Sequence, residues 1–211
     1  MNNMKLKKSV RRIMILLLAV VLGVVIGLYF IKNHKTTDPV KEVKVINQIE
    51  KYGYSLKENK PTKYKDLFKE LEEILNEEKV DEQKYVSKIT EMFIYDFYSL
   101  NDKTAKTDIG GVEFVYGSIL ENFLQNAQNT YYKYIENNIY NDRKQSLPVV
   151  SNINIESVTQ GPYAYDDKND EAAYAVKVTW SYTDEQFASY QKAATLIFIH
   201  DDIKLSLVEL Q

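Results

Sequence analysis

The chain of 211 residues carries 30 acidic and 27 basic side chains, two histidines and no cysteine. That inventory excludes disulfide scaffolds, thiolate metal sites and cysteine nucleophiles, and two histidines, His34 and His200, cannot make a histidine-rich metal site, so no cofactor is expected. The basic residues are 24 Lys and three Arg; guanidinium, the planar reader of phosphates and bases, is nearly missing beyond Arg12, and no nucleic-acid partner is expected.

Residues 1–12 form a basic tail with Lys5, Lys7, Lys8, Arg11 and Arg12. Ile13 to Ile31 follow as 19 residues without a charge. At the rise of an α-helix they span about 28 Å, close to the thickness of the hydrocarbon layer. The stretch is apolar on every face and reads as a transmembrane helix over 13–31, entering at Ile13, centred near Leu22 and leaving at Ile31. The rival reading is a cleaved signal peptide, but its apolar region is normally shorter and no small-x-small pattern follows Ile31. The cations ahead of the span place the N-terminus in the cytoplasm by the positive-inside rule, with the rest outside a plasma membrane crossed once. Without those five cations, 22 basic residues face 30 acidic ones. The balance of −8 would repel DNA and anionic lipid alike. Gly23 and Gly27 are either a small-xxx-small helix contact or ordinary glycines of a single span.

Residues 32–60 read as a juxtamembrane linker with Asp38-Pro39, then an ambiguous segment. There Val43 and Val45 alternate like a strand, while Ile46, Ile49 and Tyr52 keep helical spacing up to Gly53. From Pro61 the apolar positions Tyr64, Leu67, Phe68, Leu71, Ile74 and Leu75 predict an amphipathic helix. Asp81 is placed to cap a second helix running to about Leu100, with the stripe Tyr85, Ile89, Met92, Phe93 and Phe97. Asn101 to Gly111 reads as a loop. Ser118 and Glu121 have capping-box spacing before a third helix to about Asn138.

After Pro148 the apolar period falls from 3.6 to 2. Val149, Ile153 and Ile155 form one strand, ended by Gly161-Pro162 and the polar run 166–171. Tyr174, Val176, Val178, Trp180 and Tyr182 line one face of the next. Ala193 to His200 and Ile203 to Leu210 are joined by Asp201-Asp202 as a tight hairpin. The predicted fold class is therefore α+β: an N-terminal transmembrane helix, then one domain of about three helices packed on a C-terminal antiparallel sheet.

This order resembles the nuclear transport factor 2-like fold over 61–211. The residues that carry the resemblance are the aromatic helix Met92 to Tyr98, Gly110-Gly111, the strand ending Val178-Thr179-Trp180-Ser181-Tyr182 and the terminal hairpin. The resemblance implies a curved sheet wrapped around helices as a cone. The plan of basic tail, single span and one outer domain is similar to that of single-span assembly subunits of type IV secretion machines and their Gram-positive conjugation counterparts.

Because that superfamily includes isomerases with an acid or base in the cone, a carboxylate on an apolar face is of interest. Asp96 lies within the stripe of the second helix, where desolvation would raise its pKa. It reads either as a catalytic group or as an edge residue bonded to a tyrosine hydroxyl or a backbone amide. His200 reads as a surface hairpin residue, and 166–171 as a solvated turn, since Lys168 occupies a ligand position of the calcium loop it resembles in acid density. Tyrosine accounts for 17 residues, and Tyr95, Tyr98, Tyr131 and Tyr134 read as core with wet hydroxyls or as a binding surface or cavity. The sequence is thus read as a membrane-anchored, extracytoplasmic, non-enzymatic interaction module of a bacterial cell envelope. Its expected partners are the lipid bilayer, envelope proteins and a second copy of itself. The alternative is a small-ligand-binding or isomerase-like domain with its cavity near Asp96.

Overall fold

The computed structural model describes residues 43–165 and 168–211, with Lys168 described in its backbone alone. It resolves the ambiguity between Val43 and Leu56 in favour of strands. β1 (Val45–Ile49) and β2 (Tyr54–Lys57) pair antiparallel around the 3-10 turn Glu50–Tyr52 and Gly53, whose φ of 69° suits a residue without Cβ. Ile49, Tyr52, Tyr54 and Leu56 are buried. The hairpin thus belongs to the compact unit Val43–Gln211.

α1 (Thr62–Leu75) buries Tyr64, Leu67, Phe68, Leu71 and Leu75 on one face. α2 (Glu82–Tyr98) starts where Asp81 accepts hydrogen bonds from Gln83 N–H at 3.0 Å and Lys84 N–H at 3.1 Å, a cap worth about 1 kcal/mol. From Met92 to Tyr98 every residue of α2 is buried. Apart from Asp96 the sequence accordingly turns apolar or aromatic there, because this part of the helix has packing partners on every side. Each fully buried apolar side chain contributes roughly 1.5–3 kcal/mol.

α3 (Leu120–Asn129) is shorter than the spacing predicts. The Ser118/Glu121 capping box is not made; Ile119 occupies the N-cap at the end of the 3-10 turn Gly117–Ile119. The helix stops before Tyr131 and Tyr132 because both rings turn inward to the end of α2. Tyr132 Oη donates to Phe97 C=O at 2.7 Å and Tyr131 Oη to Tyr98 C=O at 3.2 Å. These are carbonyls that a helix C-terminus leaves without intrahelical partners. Tertiary hydrogen bonding therefore overrides the helical period.

The sheet runs β3 (Val150–Tyr165), β4 (Lys168–Tyr182), β5 (Ala193–Asp201), β6 (Lys204–Leu210), each strand antiparallel to the next. Gly161-Pro162 does not end the first strand. It lies inside β3, where the register shifts between Gly161 and Tyr163, and a proline is tolerated there because β3 is an edge strand with a bulge. Within the polar run, residues 168–171 are likewise strand, since β4 begins at Lys168. The last hairpin turns at Asp202-Ile203, one residue later than expected, with Asp202 at φ 59° and Asp201 paired to Lys204. Tyr174, Val176, Val178 and Trp180 face inward from β4, joined by Leu196 and Phe198 of β5 and Leu205 and Leu207 of β6.

The predicted fold class needs correction. Among the described residues no helix is long and apolar enough to cross a membrane. The longest, α2 with 17 residues, is about 26 Å long and carries Glu82, Lys84, Lys88, Glu91 and Asp96. The described fold is α+β, with three helices, the four-stranded antiparallel sheet and the separate β1–β2 hairpin. The segment expected to span, from Ile13 through Leu22 to Ile31, lies outside the described residues, as do the basic tail and the linker before Val43.

Candidate functional site

Asp96 is enclosed by two lysines. Lys60 Nζ donates to Oδ1 and Oδ2 at 2.6 and 2.7 Å, Lys103 Nζ to Oδ1 at 2.8 Å, and Gly111 N–H to Oδ2 at 2.8 Å. Desolvation pushes its carboxyl up, but the Lys103 and Lys60 cations outweigh it and hold Asp96 well below the usual carboxylate range. This is the reverse of the upward shift read from the apolar stripe. For Lys103 desolvation acts downward, and Asp96 and Asp102 overcome it and raise its pKa. A carboxylate so held has no free lone pair facing solvent and no tendency to take up a proton at neutral pH. It fits the structural reading, with a backbone amide as one partner, better than that of a general base.

The loop supplying Gly111 approaches α2 unusually closely. A Cβ on Gly110 would lie 2.0 Å from Asp96 O, and one on Gly111 2.6 Å from Phe93 Cδ2. Gly111 also has φ 73°. The Gly110-Gly111 pair is thus required by contact with α2 as well as by loop conformation.

A second polar seam lies at β2. Tyr64 Oη donates to Glu113 Oε1 at 2.5 Å, Ser55 N–H to Oε2 at 3.3 Å, and Lys204 Nζ to Glu113 C=O at 2.9 Å. Burial pushes the Glu113 carboxyl up and the Lys204 amine down. Tyr54 and Tyr85 share a hydrogen bond at 2.6 Å, and Leu205 N–H donates to Tyr85 Oη at 3.2 Å; burial pushes the Tyr85 hydroxyl up to about 12. The seam fastens the N-terminal hairpin to the helices and β6.

The four tyrosines singled out by the sequence do not form one site. Tyr95 is buried. Tyr98 and Tyr131 meet edge to face at 5.1 Å between ring centroids and both line an open groove of about 420 Å³ between α3 and β6. Tyr134 stands 76% exposed on the turn beyond α3. Phe97, Phe123, Ile119, Leu207, Val208 and Leu210 give the groove its apolar wall, with Asn122 and Asn126 of α3 at its mouth. Glu209 is its one ionisable carboxylate, held low by the Tyr163 hydroxyl that donates to it. Asp96 is not among the groove residues.

His200 is more connected than a surface hairpin residue. Its ring Nδ1 lies 2.9 Å from Asp170 Oδ2 and its Nε2 3.5 Å from Glu82 Oε2, while Tyr174 Oη donates to the same Glu82 oxygen at 2.8 Å. Desolvation acts downward on His200, and Asp170 and Glu82 overcome it and raise its pKa. His200 and Asp170 border an acidic cleft of about 510 Å³ with Tyr116, Tyr165, Asp201 and Asp202. Among the described residues no group of His, Asp and Glu could hold a metal ion.

Sequence reasoning missed Lys60, Lys103, Glu113 and Lys204, because a charged side chain in a loop or at a strand end looks solvated until tertiary packing closes over it. The available signal was an aspartate without local cations in an apolar helix, which requires a distant counter-charge. Comparison with protein-family models, curated proteins and solved structures finds no match for this chain. No resemblance to the nuclear transport factor 2-like fold is shown by these comparisons.

Proposed function

We propose that this domain is a non-enzymatic protein-interaction module of a bacterial cell-envelope assembly, held at the outer face of the plasma membrane. The observation that carries the reading is the open groove between α3 and β6. Its wall is aromatic and aliphatic, and its one carboxylate is already engaged by Tyr163. Such a surface offers desolvation and shape to a partner and no acid–base pair to a substrate. The location is supported by the sequence alone, through the uncharged stretch from Ile13 to Ile31 behind five cations and the excess of acid after it. Tethering would raise the effective concentration of the groove toward neighbouring membrane proteins.

The test is a photocrosslinking amino acid placed at Asn126, exposed at the groove mouth, and at Lys177, exposed on β4. In intact cells Asn126 should yield an adduct of discrete mass that Lys177 does not. Equal, weak adducts from both positions would remove the groove as an interaction site.

A further inference from the structure

The groove opens where the chain leaves the edge of its own sheet. Val115 forms an isolated parallel bridge to Leu207, and Tyr116 N–H donates to Leu207 C=O at 2.8 Å. A short piece of this chain therefore already lies along β6 as an added strand. The turn Gly117–Ile119 then carries the backbone away into α3. From Val208 to Leu210, about 10 Å of strand, no further strand of the described residues lies beside β6.

The register shows which backbone groups face this gap. Thr195 and Gln211 exchange both hydrogen bonds, at 3.1 and 2.9 Å. Antiparallel ladders alternate, so Leu210, paired with Leu196, turns its N–H and C=O away from β5. Both groups therefore point toward the open edge of β6. Beside them the groove presents Phe97, Phe123, Tyr131, Leu207 and Val208.

We infer that this edge receives an extended segment of another polypeptide, which adds to β6 along Val208–Leu210 as a fifth strand and seats alternate apolar side chains in the groove. The inference rests on the interaction reading above and names the form of the partner. A helix or a small apolar molecule could fill the groove but would leave the Leu210 donor and acceptor unpaired, whereas an extended backbone pairs both. Val115 and Tyr116 demonstrate that the edge accepts a backbone at strand distance. A second copy would have to bring its own α3 into the gap that α3 already borders, so a lone extended segment is the better fit.

The test uses the full-length chain in detergent and a positional-scanning library of acetylated hexapeptides as probe. Selection should favour apolar residues at alternate positions. The best peptide is then remade with N-methyl groups on the amides at odd positions or at even positions. One of the two series should lose about tenfold or more in affinity by fluorescence polarisation, the equivalent of one backbone hydrogen bond, while the other keeps it. Asn126→Trp, which fills the groove from α3, should abolish binding, and Leu210→Pro, which removes the edge donor, should weaken it similarly. The N-methyl comparison reads the same bond without altering the protein, so a poorly folded proline variant leaves the test intact.

Equal affinity of both N-methyl series would overturn strand addition while leaving the groove an interaction site. Absence of any selected peptide, with a dimer in light scattering that Asn126→Trp dissolves, would overturn it in favour of a second copy. Absence of selection from a monomer would overturn it too; the cellular crosslink at Asn126 then decides separately whether the interaction reading survives.

Discussion

Lys103 Nζ lies 2.8 Å from Asp96 Oδ1, and the two side chains are only 3% and 6% exposed. Lys60, half-buried, completes a triad from the other side at 2.6 Å. Removing the shared carboxylate leaves Lys103 in the interior with Asp102 as its remaining acid. Asp96→Asn should cost about 3–5 kcal/mol, as for other broken buried pairs. Urea unfolding followed by Trp180 fluorescence measures it; Trp180 is the only tryptophan and packs 4.4 Å from Tyr98. A change below 1 kcal/mol would contradict the assigned role of the triad.

The same carboxylate sets the acid limit of the domain. Its folded pKa lies below the ordinary 3.8, so its contribution is present above that value and is lost as pH falls through the folded pKa. Stability measured from pH 5 downward should decline more steeply in the wild type than in Asp96→Asn.

His200 acts in the opposite sense. Its folded pKa is raised above 6.5, so its bridge from β5 to Asp170 and to Glu82 at the start of α2 stabilises fully below that value. The contribution fades as pH rises through the folded pKa. His200→Gln should lower stability at pH 5–6 and flatten the profile as pH rises toward 8, so that the variant and the wild type converge at the alkaline end.

Tyr132 and Tyr134 lie two residues apart and should respond differently. Tyr132→Phe removes the donor to Phe97 C=O and the acceptor for Gly110 N–H at 3.1 Å, which should cost about 1–3 kcal/mol. Tyr134→Phe, on an exposed ring, should stay within about 0.5 kcal/mol. Comparable losses would mean that the inward turn of 131–132 is misassigned.

Gly110→Ala tests the close approach of the loop to α2. A methyl group 2.0 Å from Asp96 O forces backbone to move on one side or the other, and a loss of about 3 kcal/mol or more is expected, at the upper end of overpacking effects. Full retention of stability would show that the loop can lift without consequence.

Periodicity carried much of the fold. The stripe of α1, the Asp81 cap and the inward face of β4 follow from residue spacing, because each depends on local geometry that repeats. Elements settled by distant contacts were not legible. The hairpin Val45–Lys57 looked half helical because its turn is a 3-10 helix. The end of α3 depends on carbonyls more than thirty residues away, and Gly161-Pro162 mimics a turn within a bulged edge strand. At the site, Asp96 stood out by its place in an apolar stripe, yet its partners lie 36 and seven residues distant in sequence. The groove has no sequence signature because it is the space between two elements.

The enclosure of α2 has a consequence for synthesis. Its last turns are buried on all sides, and part of that cover is supplied by the sheet, through β3 and β4, which follows far behind in the chain. At about 5–20 residues per second, the stretch from Tyr98 to Leu210 takes roughly 6–22 s to emerge. During that interval an aromatic helix waits with its inner face uncovered. Strand mutations that delay closure of the sheet would therefore show first as aggregation or degradation of nascent chains, before any loss of stability is measurable in molecules that have finished folding.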